Sequence, residues 1–223
     1  MDELSRLLLK IAAQRGPSGV EWAESYRSAE PVAVRRAGHQ AIDLLRKDKI
    51  EEGFEALEAM VKPMRSVRAD NPSVVSISER WFYGAFAYGH YKVENYEAAL
   101  DSLDLADQAI LRGFVADSFL IVLTPCAYEF TLHRARIERN EGRREGMERY
   151  LKLARGMVDN EMPWYVLPDG SEIYRSDFDL YLSGLQLDAA DRASIEQLSA
   201  GLSQQTNLLL TRRIRLQQPK AAA

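Results

Sequence analysis

One stretch, WFYGAFAYGHYKVENYEAALDSLDLA from Trp81 to Ala106, restricts the fold more than any other. It mixes bulky rings (Trp81, Phe82, Phe86, Tyr91) with small residues (Gly84, Ala85, Ala87, Ala98, Ala99). That mix suits helices packed closely on more than one side, because rings fill space and small residues let a neighbouring backbone approach. Trp81, Phe86 and Leu103 are its expected core residues. Within it Glu94 and Glu97 stand at i and i+3, so a helix running through both points them to one face. Two acids in apolar company need a cation, protons or a positive side chain to neutralise them.

Helical periodicity dominates the rest of the chain, with no convincing alternating strand. The expected helices run roughly over Asp2–Ala13, over Val20–Leu45 with an interruption at Pro31, and over Ile50–Arg68 with a kink at Pro63. The next is capped by Ser76 or Ser78 and continues through the aromatic stretch towards Ile110, with Gly113 marking its end. Others follow from Asp117 through Ile137, bent at Pro125, then over Arg143–Val158, Ser171–Gln186 and Ala190–Leu216. The segment Glu161–Ser171 is the longest loop. The fold class is therefore all-α, either an antiparallel bundle of about seven or eight helices or a helical repeat. One helical domain is expected over 1–220, with N-terminal helices 1–34, a core 35–158 and C-terminal helices 159–220. Ala221–Ala223 has the composition of a vector scar.

The chain of 223 residues has a net charge of −4, which argues against a protein coated by nucleic acid but permits one basic surface. Cys126 is its one cysteine, so no internal disulfide forms, and a reducing, cytoplasmic setting is expected. No apolar run is long enough for a membrane span, and the N-terminus lacks a secretory pattern.

Three segments resemble one another: IEEGFEALEAM from Ile50, YEAALDSLDLA from Tyr96 and RREGMERYLKLA from Arg143. In each, Gly53, Ala99 or Met147 precedes a leucine by four (Leu57, Leu103, Leu151), and Met60, Ala106 or Ala154 follows three later. The intervals of 46 and 48 residues exceed the roughly 34 of a tetratricopeptide unit. They fit a solenoid of helix pairs with a binding surface on one side. They fit equally the general likeness of amphipathic helices that follow short turns.

Chemistry, if the chain performs any, centres on carboxylates. Glu129 follows the apolar run FLIVLTPCAY and lies between Tyr128 and Phe130. If its helix runs antiparallel to the aromatic one, Glu94, Glu97 and Glu129 converge. Such a cluster suits Mg²⁺ or Mn²⁺, hard cations that prefer oxygen ligands and activate water or clamp phosphate. A basic group follows in Arg134, Arg136, Arg139, Arg143 and Arg144, with Arg35 and Arg36 earlier. It reads either as surface charge offset by Glu138, Glu141 and Glu145 or as a phosphate-binding rim. His39, His90 and His133 lack zinc-site spacing.

The order of these features resembles the translin family, including its translin-associated factor X branch. The likeness runs from RRAGHQAIDLLRKDKIEEGFEAL at Arg35, through ENYEAA at Glu94, to SFLIVLTPCAYEF at Ser118 and the helix from Arg143. It covers roughly 35–158. It implies an all-helical protein that assembles into hollow homo-oligomeric rings, binds single-stranded RNA or DNA, and in its catalytic branch cuts RNA with Mg²⁺. By that likeness Glu94 and Glu97 match the acidic E-x-x-E pair and Glu129 the later glutamate. Pro125 stands where the catalytic branch has aspartate, and FLIV replaces its YLxG opening, so cleavage is expected to be weak or absent.

Two functions are compatible with these features. One is a translin-like binder of single-stranded nucleic acid with a metal-dependent endoribonuclease site at Glu94, Glu97 and Glu129. The other is a non-catalytic, tetratricopeptide-like adaptor that binds a protein segment. The first needs an unbroken helix through Glu94 and Glu97; the second needs a turn at 93–95.

Overall fold

The computed structural model describes residues 3–67, 70–186 and 189. It is all-α: the described residues form ten α-helices, one 3₁₀ helix and a two-stranded hairpin of two residues per strand. No described helix is long and apolar enough to cross a membrane. By backbone contacts the described residues fall into two compact units that divide after Thr124. The expected helix over 190–216 lies outside the described residues.

The first unit opens with α1 (Glu3–Ala13) and α2 (Pro17–Tyr26). Leu7, Leu8 and Ile11 of α1 are buried, as their spacing on one face requires. In α2, Trp22 stacks on Tyr26 and meets Phe119 edge-on, both at 4.9 Å between ring centroids. Its indole N–H donates to the Ser73 hydroxyl, which donates in turn to Asn71 Oδ1. That chain of bonds holds Asn71 where its carboxamide oxygen caps α6 (Pro72–Lys92) at the Val74 N–H. Asn71 and a proline at the first helical position set this start, not Ser76 or Ser78, which lie buried inside the helix.

α3 (Ala29–Arg46) carries Pro31 in its first turn, where a missing N–H is tolerated, so the chain breaks before Ala29 rather than at the proline. The expected third helix is two, α4 (Ile50–Glu58) and α5 (Val61–Ser66), with Pro63 in the first turn of α5. The core between α3, α4 and α6 consists of Val34, Ala41, Leu45, Ala56, Leu57, Met60 and Ala85, flanked by partly buried Phe54, Trp81, Phe82, Phe86 and Tyr88. Leu103 is buried as expected, but Trp81 and Phe86 are only half-buried, because α6 has its ring-bearing edges at the margins of this core. Gly89 lies against the facing helix, where an added Cβ would sit 2.6 Å from Leu57 Cδ1.

α7 (Tyr96–Ala116) passes straight through Gly113, which is needed for contact rather than termination: an added Cβ would meet Leu120 and Ser76 at 3.0 Å. The apolar run that follows is the 3₁₀ helix Ser118–Leu123, with all of Phe119–Leu123 buried.

In the second unit α8 (Pro125–Asn140) begins at Pro125; the proline starts this helix and does not bend it. α8 packs against α9 (Arg144–Val158). The segment 161–171, with the residues just after it, contains β1 (Tyr165–Val166) paired antiparallel to β2 (Glu172–Ile173), and α10 (Arg175–Ser183) follows. Trp164 donates to the Met157 carbonyl and lies 5.4 Å from Phe178, which fastens this hairpin and α10 to the end of α9.

Candidate functional site

Three helical hairpins share one turn. The pairs α3–α4, α6–α7 and α8–α9 are each joined by three residues: 47–49, 93–95 and 141–143. The middle residue is left-handed in all three, with φ 58° at Asp48, 60° at Glu94 and 73° at Gly142. The third residue repeats as well: Lys49 (−85°, 74°), Asn95 (−83°, 74°) and Arg143 (−81°, 82°). The hydrogen bonds match. The middle N–H donates three residues back, to Leu45, Tyr91 and Arg139, and the third donates five back, to Leu44, His90 and Glu138. Such closure satisfies the carbonyls that a helix end leaves open.

The sequence similarity follows from this geometry. The nine positions of the three-segment pattern (Gly53, Leu57, Met60; Ala99, Leu103, Ala106; Met147, Leu151, Ala154) are all buried. Gly53 faces the preceding helix, where an added Cβ would meet Leu45 at 2.7 Å, and the same turn fixes the phase of each second helix against its first.

The acidic pair sits on the second turn. The helix stops at Lys92, Glu94 occupies the left-handed position, and Glu97 lies in the first turn of α7. A helix boundary separates them, so the single helical face expected for the pair does not exist; both are solvent-exposed. Asn95 caps α7 by accepting from the Ala98 N–H. Glu129 is on α8, in the second unit, with its carboxylate 3.7 Å from His133 Nε2. Among the described residues no group of three or more His, Cys, Asp or Glu side chains could hold a metal ion.

The basic residues are dispersed and largely engaged. Arg35 is buried with its guanidinium over the Tyr26 ring, 4.8 Å from the centroid, while Arg36 is exposed. Arg134 is buried, Arg136 contacts His133 Nδ1, and Arg139 donates to Asn140 Oδ1. Arg143 bonds both Glu138 and Glu141, and the Glu138 hydrogen bond chiefly raises its pKa further. Arg144 pairs with Glu148 at 3.0 Å.

What the sequence reading did not single out is the outer edge of the α6–α7 hairpin. Tyr88 and Tyr91 stack at 6.4 Å with planes 27° apart, and Tyr91 lies 6.1 Å from Tyr96 across the turn. All three rings are half-buried. A Cβ added at Gly84, one turn before Tyr88, would meet nothing within 4 Å, so this edge of α6 is open. Lys92 beside the rings is tied to Asp48 of the first turn, and that hydrogen bond is the main reason its pKa is raised. The signal was present as the i, i+3 spacing of Tyr88 and Tyr91, but the turn that brings in Tyr96 was not. On the opposite edge His90 sits among Phe54 and Phe86, and burial lowers its pKa.

No family model, curated protein or solved structure matches the chain.

Proposed function

We propose that the chain is a non-catalytic adaptor built of helical hairpins, which binds a segment of a partner protein along the open edge of α6–α7. The observation that carries this is the recurrence of one turn geometry at Asp48, Glu94 and Gly142. Helical hairpins repeated in this way are the building units of recognition proteins, in which an exposed helix face binds a partner rather than breaking bonds. Two features support it over translin-like RNA binding. The break at 93–95 removes the shared helix face for Glu94 and Glu97. Arg139, Arg143 and Arg144 already bond side chains of their own unit, so a phosphate would have to displace those partners.

The test is selection of peptides from a random display library on the full chain, with mass in solution and incubation with short single-stranded RNA and Mg²⁺ run in parallel. The expected result is enriched peptides whose binding is weakened by Tyr91→Ala, and RNA left intact. Mg²⁺-dependent RNA cutting that Glu97→Gln abolishes, on a ring-sized homo-oligomer, would reinstate the translin-like reading.

A further inference from the structure

Resting on that adaptor reading, we propose that Tyr88, Tyr91 and Tyr96 form a docking strip for an extended protein segment carrying arginine at alternate positions. The ring spacing is the first reason. Successive centroids are 6.4 and 6.1 Å apart, and an extended strand repeats its same-side residues about every 6.7 Å. Each adjacent pair of rings is therefore spaced to receive two same-side residues of an extended segment.

Charge is the second reason. Glu94 lies in the turn between Tyr91 and Tyr96, Glu97 follows Tyr96, and Asp101 is one helical turn further. All three are exposed, and none has an ion-pair partner among the described residues. The two cations closest in sequence are engaged, Lys92 with Asp48 and Arg112 with Glu79. A guanidinium placed over a tyrosine face gains the attraction of the ring quadrupole and can at the same time pair with a carboxylate at the strip's edge. An acidic segment would meet repulsion here, and a purely apolar one would leave the carboxylates uncompensated.

The experiment titrates the full chain with three fluorescent peptides of equal length on a glycine–serine backbone, bearing arginine, glutamate or leucine at alternate positions. The arginine peptide is expected to bind alone. Tyr91→Ala, which leaves the charge unchanged, is expected to weaken it by about ten-fold, while Tyr91→Phe, which keeps the ring and guards against a folding artefact, retains it. Glu94→Gln with Glu97→Gln is expected to weaken binding and flatten its salt dependence. Arginine-peptide binding indifferent to Tyr91→Ala would reflect net charge only and overturn the proposal. Tyr91-dependent binding of the glutamate or leucine peptide would overturn the arginine assignment and leave the adaptor reading standing. Failure of the arginine peptide while display-selected peptides bind sinks this inference alone; failure of both removes the adaptor reading too.

Discussion

Replacing Gly142 with alanine isolates the backbone requirement of the repeated turn. Gly142 has φ 73°, and a Cβ there would meet nothing within 4 Å, so no clash contributes. The cost is conformational: an L-residue in the left-handed region loses about 1–2 kcal/mol relative to glycine. Alanine recovers about 0.4–1 kcal/mol by restricting the unfolded chain. The net expectation is a loss of about 1 kcal/mol. With a urea slope of about 2–3 kcal/mol per molar, that lowers the unfolding midpoint by roughly 0.4 M. Far-ultraviolet circular dichroism with tryptophan fluorescence follows it, since coincident transitions by the two probes establish the two-state behaviour that this comparison requires. Gly142→Asn, which tolerates this region, should recover most of the loss. The converse, Glu94→Gly, should be neutral or stabilise by up to about 1 kcal/mol. A neutral Gly142→Ala together with a strongly destabilising Glu94→Gly would refute a common left-handed turn.

Leu103→Ala should cost about 2–5 kcal/mol in the same assay, because Leu103 is buried. Gly89→Ala should be destabilising by about 1–3 kcal/mol despite alanine's better helix propensity, since its Cβ would overlap Leu57; a stabilised variant would mean the helices lie further apart. Burial holds His90 below its ordinary value of 6.5, so the unfolded state takes up the proton first as pH falls. The associated stability is present above pH 6.5 and declines as pH drops through the folded value, and His90→Gln should flatten that slope in pH-dependent denaturation.

The helical class and the apolar faces were legible because buried side chains recur at helical spacing, as with Leu7, Leu8 and Ile11. The similarity of the three segments was legible too, and its cause is the shared turn. The turns themselves were harder to see. Only Gly142 announces its left-handed position; Asp48 and especially Glu94 occupy it without glycine, and Asn95 is acceptable inside a helix or as its cap. Glu94 and Glu97 consequently read as one helical face. Prolines misled for a related reason: Pro31, Pro63 and Pro125 all lie in first turns, where proline starts helices, whereas a mid-helix reading makes them kinks. The β1–β2 pair has strands too short to show alternation. The tyrosine strip depends on Tyr91 and Tyr96 meeting across a turn, which spacing along one helix cannot show.

The adaptor reading depends above all on the interruption at 93–95, and backbone nuclear magnetic resonance of residues 91–98 tests it most directly. Cα shifts and amide–Hα couplings should show helix up to Lys92, a positive φ at Glu94 and helix again from Tyr96. Unbroken helical shifts from Tyr91 through Ala98 would contradict it, because Glu94 and Glu97 would then share one helix face as a carboxylate site requires.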